Sequence, residues 1–93
     1  MNKYESVVII DPAVAEEKVK ELSQKFTDII NNDGKVEKVE ELGKKRLAYE
    51  VKKNKEGYYV VLNFEANPTL IAELERNYRI IDEVIKFITV KAE

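Results

Sequence analysis

The sequence predicts an α+β fold whose elements run β-α-β-β-α-β. Short β-branched or alternating apolar runs at residues 4–10, 58–64 and 84–90 read as strands. Two stripes of helical period lie between them, and each follows an Asx-Pro pair suited to starting a helix.

Residues 4–10 place Tyr4, Ser6, Val8 and Ile10 on one side and Glu5, Val7 and Ile9 on the other. Two mostly apolar faces suit a central strand. Asp11-Pro12 is expected to open the first helix. Aspartate can accept orphan backbone N–H groups, and the N–H that proline lacks has no partner in a first turn. Ala15, Val19, Leu22, Phe26, Ile29 and Ile30 then recur at the spacing of one buried stripe, with Lys18, Glu21 and Lys25 on the wet side. Asn31-Asn32-Asp33-Gly34 stops the helix, and Gly34 is expected to take the left-handed conformation there.

Residues 36–51 read as a long, partly exposed strand with a bend or bulge near Gly43. Charges are interspersed among Val36, Val39, Leu42, Leu47, Tyr49 and Val51. They favour an edge position, where they also discourage pairing with other sheets. Residues 52–57 are expected to turn the chain. The strand that follows has a clean apolar set in Tyr58, Val60, Leu62 and Phe64, with Tyr59, Val61 and Asn63 opposite. Asn67-Pro68 repeats the cap, and Leu70, Ile71, Leu74 and Tyr78 form a second helical stripe. Residues 79–82 read as a link. The last strand is expected to place Ile85 and Phe87 on one face and Lys86 and Ile88 on the other, before a polar end at residues 91–93.

Both helices can cover one face of a four-stranded antiparallel sheet, the split βαβ or ferredoxin-like arrangement. Right-handed crossovers make the first and third strands central. The uncovered face would present Val7, Ile9, Tyr59, Val61 and Ile88. No linker, repeat or low-complexity tract divides residues 1–93, which are expected to act as a single domain.

Composition removes several kinds of chemistry. The 93 residues contain no cysteine, histidine or tryptophan, so disulfides, thiolate chemistry and imidazole catalysis are excluded. Glu16-Glu17, Glu40-Glu41 and the Glu73/Glu75 pair lie in apparently wet faces, where nothing separates their pKa values for acid–base work. No histidine activates Ser6, Ser23, Thr27, Thr69 or Thr89, and Gly34, Gly43 and Gly57 are too scattered for a phosphate cradle. Neither enzyme activity, a cofactor nor a metal site is expected. With no signal peptide and no long apolar run, the cytoplasm is the expected location.

Charge distribution is more telling. The net charge is −2, yet residues 35–55 hold eight Lys/Arg against four Glu. The remainder holds eight against fourteen acids. Such a local excess on an acidic chain is the footprint of a polyanion such as RNA. Lys44, Lys45 and Arg46 cannot share one face of a regular strand, but a bulge at Gly43 would splay them around its edge. Lys52, Lys53 and Lys55 adjoin them at the hairpin tip. Ammonium groups there can neutralise phosphates, and Arg46 can also fork onto a phosphate or a guanine edge. Tyr59 is the aromatic that parity places on the uncovered face, where it can stack on a base or meet a protein. An ordinary solvated charged face is the alternative for the cations. The core is the alternative for the other tyrosines.

The run Gly43-Lys44-Lys45-Arg46-Leu47-Ala48-Tyr49, with Val51 beyond it, closely resembles the signature of the bacterial small-subunit ribosomal protein S-six family. Tyr4-Glu5 with its strand, Pro12, Gly57-Tyr58-Tyr59 and Glu83-Val84-Ile85-Lys86 extend the resemblance over nearly the whole chain. Leu42 replaces a frequent tryptophan, Glu50 a common proline and Lys86 a frequent arginine, which loses the rigid donor fork. The resemblance implies a structural component of the small ribosomal subunit that binds its RNA together with ribosomal protein S-eighteen. It implies RNA contacts at Lys44, Lys45 and Arg46 and an RNA or partner contact at Lys86, while charge extends the RNA-facing set more weakly to the adjoining Lys52 and Lys53. Leu47 and Tyr49 would position the edge strand and the protein partner, with Tyr59 and Val61 on the adjoining face. No membrane and no DNA are expected as partners. The competing reading is a small regulatory ligand-binding domain that dimerises through its uncovered sheet face.

Overall fold

The computed structural model describes residues 2–51 and 53–92. The elements are β1 (Asn2–Ile10), α1 (Glu16–Asn31), β2 (Gly34–Val51), β3 (Asn54–Ala66), α2 (Pro68–Ile80) and β4 (Val84–Lys91). The sheet order is β2-β3-β1-β4 and all pairs are antiparallel, so β1 and β3 are central as right-handed crossovers predict.

Both helices pack on one face of this α+β, ferredoxin-like sheet. The register sets Ser6 opposite Leu62 and Thr89, and Val8 opposite Val60 and Phe87. These rows meet Val19, Leu22, Phe26 and Ile30 from α1 and Leu70, Leu74 and Tyr78 from α2. Phe26 meets the Tyr78 ring edge-on at 4.8 Å. The Tyr78 hydroxyl ends 2.8 Å from Ser6 Oγ, which lies 3.0 Å from Thr89 Oγ1. Thus Ser6, a polar residue on the core side of a central strand, is paired on both sides rather than orphaned.

Several local expectations are corrected. Asp11-Pro12 does not start α1. Asp11 Oδ1 accepts the Ala13 N–H at 2.8 Å and its carbonyl accepts the Val14 N–H at 3.3 Å, so the pair closes a turn and the helix begins four residues later. Ala15 consequently lies outside the buried stripe as an exposed N-cap without a side-chain bond. Gly34 is not a left-handed helix stop but the first residue of β2. A Cβ there would run into the Glu65 carbonyl, so close backbone approach is what demands glycine. Residues 79 and 80 extend α2 instead of forming a link. A register shift between Ile9 and Ile10 sets Val84 opposite Ile10, which takes Ile85 off the Phe87 face.

Candidate nucleic-acid interface

The candidate surface is built by the irregularity of β2. Its pairing with β3 shifts register between Val36 and Lys38, between Glu41 and Gly43, and between Arg46 and Val51. The middle shift is the bulge expected near Gly43, and Gly43 takes φ 81°. A side chain at this φ would be strained, which explains the glycine. Beyond it Lys44 stands opposite Tyr58, Lys45 opposite Gly57 and Arg46 opposite Glu56. The register therefore splits them: Lys44 shares the row of core-side Tyr58, Lys45 falls on the opposite face, and Arg46 starts the irregular segment and lines a cleft with Leu47 and Tyr49. All three are exposed. Lys44 Nζ lies 5.3 Å from the Tyr58 ring centroid. Among the described residues no acid forms a salt bridge with Lys44, Lys45 or Arg46.

Lys53 is exposed in the turn with φ 67°, and β3 begins at Asn54 rather than after Gly57. Lys52 lies outside the described residues. Lys55 continues the basic surface onto β3, where it lines a shallow cleft of about 220 Å³ with Arg46, Leu47, Tyr49 and Glu50.

The third register shift has the largest effect. Four residues, 47–50, stand between the Arg46–Glu56 and Val51–Asn54 pairs, with only Lys55 on the opposing strand. The surplus chain arches over the sheet face that lacks helices. Leu47, Tyr49 and Val51 form a cleft of about 150 Å³ there with Ile9, Tyr59 and Lys86. Lys86, on the far edge strand, donates from Nζ to Tyr49 Oη at 3.2 Å and lies 5.0 Å from the ring centroid. Lys86 is thus a clasp for the arch and not an isolated charge. Ile9, expected to be open, is buried, whereas Tyr49 stays 67% exposed. Sequence periodicity missed this arch because the Tyr49–Lys86 contact joins residues 37 positions apart.

The helix-free face has a simple map. One row across it reads Lys86, Ile9, Tyr59, Gly43, and the next reads Ile88, Val7, Val61, Glu40. Beyond them, Val90, Glu5, Asn63 and Lys38 form a third row, and Lys3, Glu65 and Lys35 continue into a fourth. The half nearest the hairpin is apolar and the distant half is charged. Tyr59 and Val61 are half-buried in the apolar half, and Ile88 is 55% exposed at its edge.

A family model described as ribosomal protein S6 matches residues 3–91. The chain belongs to the ribosomal protein S6 family. Ribosomal protein S6 is a structural, non-enzymatic family. Small ribosomal subunit protein bS6 of Alkaliphilus oremlandii is 48% identical, covering 100% of this chain and 99% of that protein. The Helicobacter hepaticus protein of the same name is 47% identical over 100% of this chain and 69% of its own length. The crystal structure of 30S ribosomal protein S6 from Thermotoga maritima superposes with a TM-score of 0.92 at 39% identity, covering 97% of this chain and 86% of that one. No helix among the described residues is long and apolar enough to cross a membrane.

Proposed function

We propose that residues 1–93 act as one structural domain of the small ribosomal subunit in the cytoplasm, binding its RNA together with ribosomal protein S-eighteen. The observation that carries the reading is the exposed cationic ribbon of Lys44, Lys45 and Arg46, held without salt bridges among the described residues in a chain of net charge −2. Unpaired cations at an edge meet phosphates with no internal ion pair to break, and they release counterions on binding. Arg46 adds a planar fork suited to bidentate contact. Lys53, exposed in the turn, extends the same role, and Lys52 is assigned it by its charge in the sequence. Lys86 joins it from across the sheet through Tyr49.

The second partner is assigned to the apolar half of the helix-free face. Tyr59 and Val61 supply its floor, while Leu47 and Tyr49 form its rim by holding the arch in place. An apolar patch rimmed by charge suits a protein better than a nucleic-acid duplex. Membership of the S6 family and the names of its relatives support the ribosomal assignment. Sucrose-gradient fractionation of cells tests it. The chain should sediment with free small subunits and whole ribosomes. Its persistent absence from both overturns the reading, and a stable homodimer without RNA affinity moves it to the regulatory-domain class.

A further inference from the structure

We infer that the outward ring of Tyr49 takes one unpaired base of an RNA strand, with Arg46 and Lys55 meeting the flanking phosphates. This rests on the RNA-binding reading above and names the form of RNA that the arch accepts. Four features point to it. Tyr49 is 67% exposed although its hydroxyl is anchored, so the residue is held in place without being covered. Lys86 Nζ lies 3.2 Å from the hydroxyl and 5.0 Å from the ring centroid, so it sits at the hydroxyl end and does not cover the ring. Arg46 and Lys55, against Glu50 as the single acid, line the cleft of about 220 Å³ that opens beside the same ring and leave it with a positive excess. Neither cation forms a salt bridge with an acid among the described residues.

An aromatic ring set among cations is how proteins bind unpaired nucleotides: the ring stacks on the base and the cations track the backbone. Bases inside a duplex keep their faces stacked on one another and have none to offer. A duplex would use the ribbon at Lys44 and Lys45 and leave Tyr49 idle. A neutral or basic protein segment on the outer face of Tyr49 would gain little from two cations lining the same cleft. The charge of the cleft therefore favours a polyanion there, while the apolar rows beneath the arch remain for protein.

Small subunits isolated from cells carrying the full chain provide the test. Ultraviolet irradiation links a stacked base to an aromatic side chain, and mass spectrometry of the digest locates the nucleotide adduct. The expected adduct lies on Tyr49, maps to a single-stranded position of the RNA, and persists with Tyr49→Phe. Tyr49→Ala should abolish it and make the chain about 5- to 150-fold easier to strip from subunits, the range that base–aromatic stacking commands. Tyr49→Phe should be stripped like the parent chain. Adducts only at residues 44–46, adducts at a base-paired position, a link from Tyr49 to protein, or no adduct at all overturn the inference while leaving the ribosomal reading intact. Absence of the chain from subunits overturns that reading instead.

Discussion

Removing the Tyr78 hydroxyl should destabilise the fold by about 1 kcal/mol, and removing the Ser6 hydroxyl should destabilise it by more, about 1–3 kcal/mol. The asymmetry follows from the chain Tyr78 Oη, Ser6 Oγ and Thr89 Oγ1, linked at 2.8 and 3.0 Å. Tyr78→Phe deletes one end, and Ser6 keeps Thr89 as a partner. Ser6→Ala deletes the middle and strands the phenol of Tyr78, a residue with no exposed surface. A buried group left without a partner costs the fold its full desolvation penalty, whereas one removed together with its bond costs only the net bond. Adding Tyr78→Phe to Ser6→Ala should therefore be neutral or restorative. Equilibrium urea unfolding measures all three variants, with constant m-values as the control. The reasoning fails if Tyr78→Phe is worse than Ser6→Ala, or if it exacts its full penalty in the Ser6→Ala background. Alkaline pH gives an independent reading. Burial pushes the Tyr78 phenol well above its ordinary value, a nearby Glu75 adds to this, and the Ser6 bond opposes it. The unfolded chain releases this proton near pH 10 while the fold retains it, so the contribution is intact below about pH 10. Above that it falls by up to about 1.4 kcal/mol per pH unit until the raised folded value is reached. Tyr78→Phe should lack that part of the slope.

The two structural glycines should respond differently to alanine. Gly43 has φ 81° and nothing within 4 Å of a built Cβ, so Gly43→Ala should cost only the backbone strain, about 1–2 kcal/mol, with Gly43→Asn milder. Gly34→Ala should cost more, because its Cβ meets the Glu65 carbonyl and Ala66 Cβ at 3.0 Å; a smaller loss than at Gly43 in urea unfolding would refute the close-approach argument. Replacing Lys44, Lys45 and Arg46 together with glutamine should leave the urea midpoint nearly unchanged, since all three are exposed. The salt slope of RNA binding should flatten by up to about 2.7 if each meets a phosphate. An unchanged slope would remove them from the interface.

The order of elements was legible because the signals that set it are local. The set Tyr58, Val60, Leu62 and Phe64 and the α1 stripe from Val19 to Ile30 each sit within one element, and all of them pack on the core side. Gly43 announced its bulge because a glycine among strand residues has few other uses. What could not be read depends on partners distant in sequence. Asp11 spends its carboxylate on Ala13, a choice that composition does not separate from capping. Gly34 is needed because Glu65 and Ala66 come close, and Ile85 leaves the Phe87 face because of a shift in the β1 pairing. The basic ribbon was visible as a charge count, but its arch was not. Nothing near Tyr49 in the chain signals that Lys86 will reach it across two intervening strands.

The uneven division of the helix-free face makes it directional. Ile9, Val7, Tyr59 and Val61 fill one end, and Lys3, Glu5, Lys35, Lys38 and Glu65 occupy the other. An elongated molecule with one greasy terminus can lie along the strands in one sense only. Turned end for end, it would strip water from several ionised groups at once, at several kcal/mol for each left without a counter-charge. Polarity is thereby written into the surface itself, before any contact specific to one binder is made.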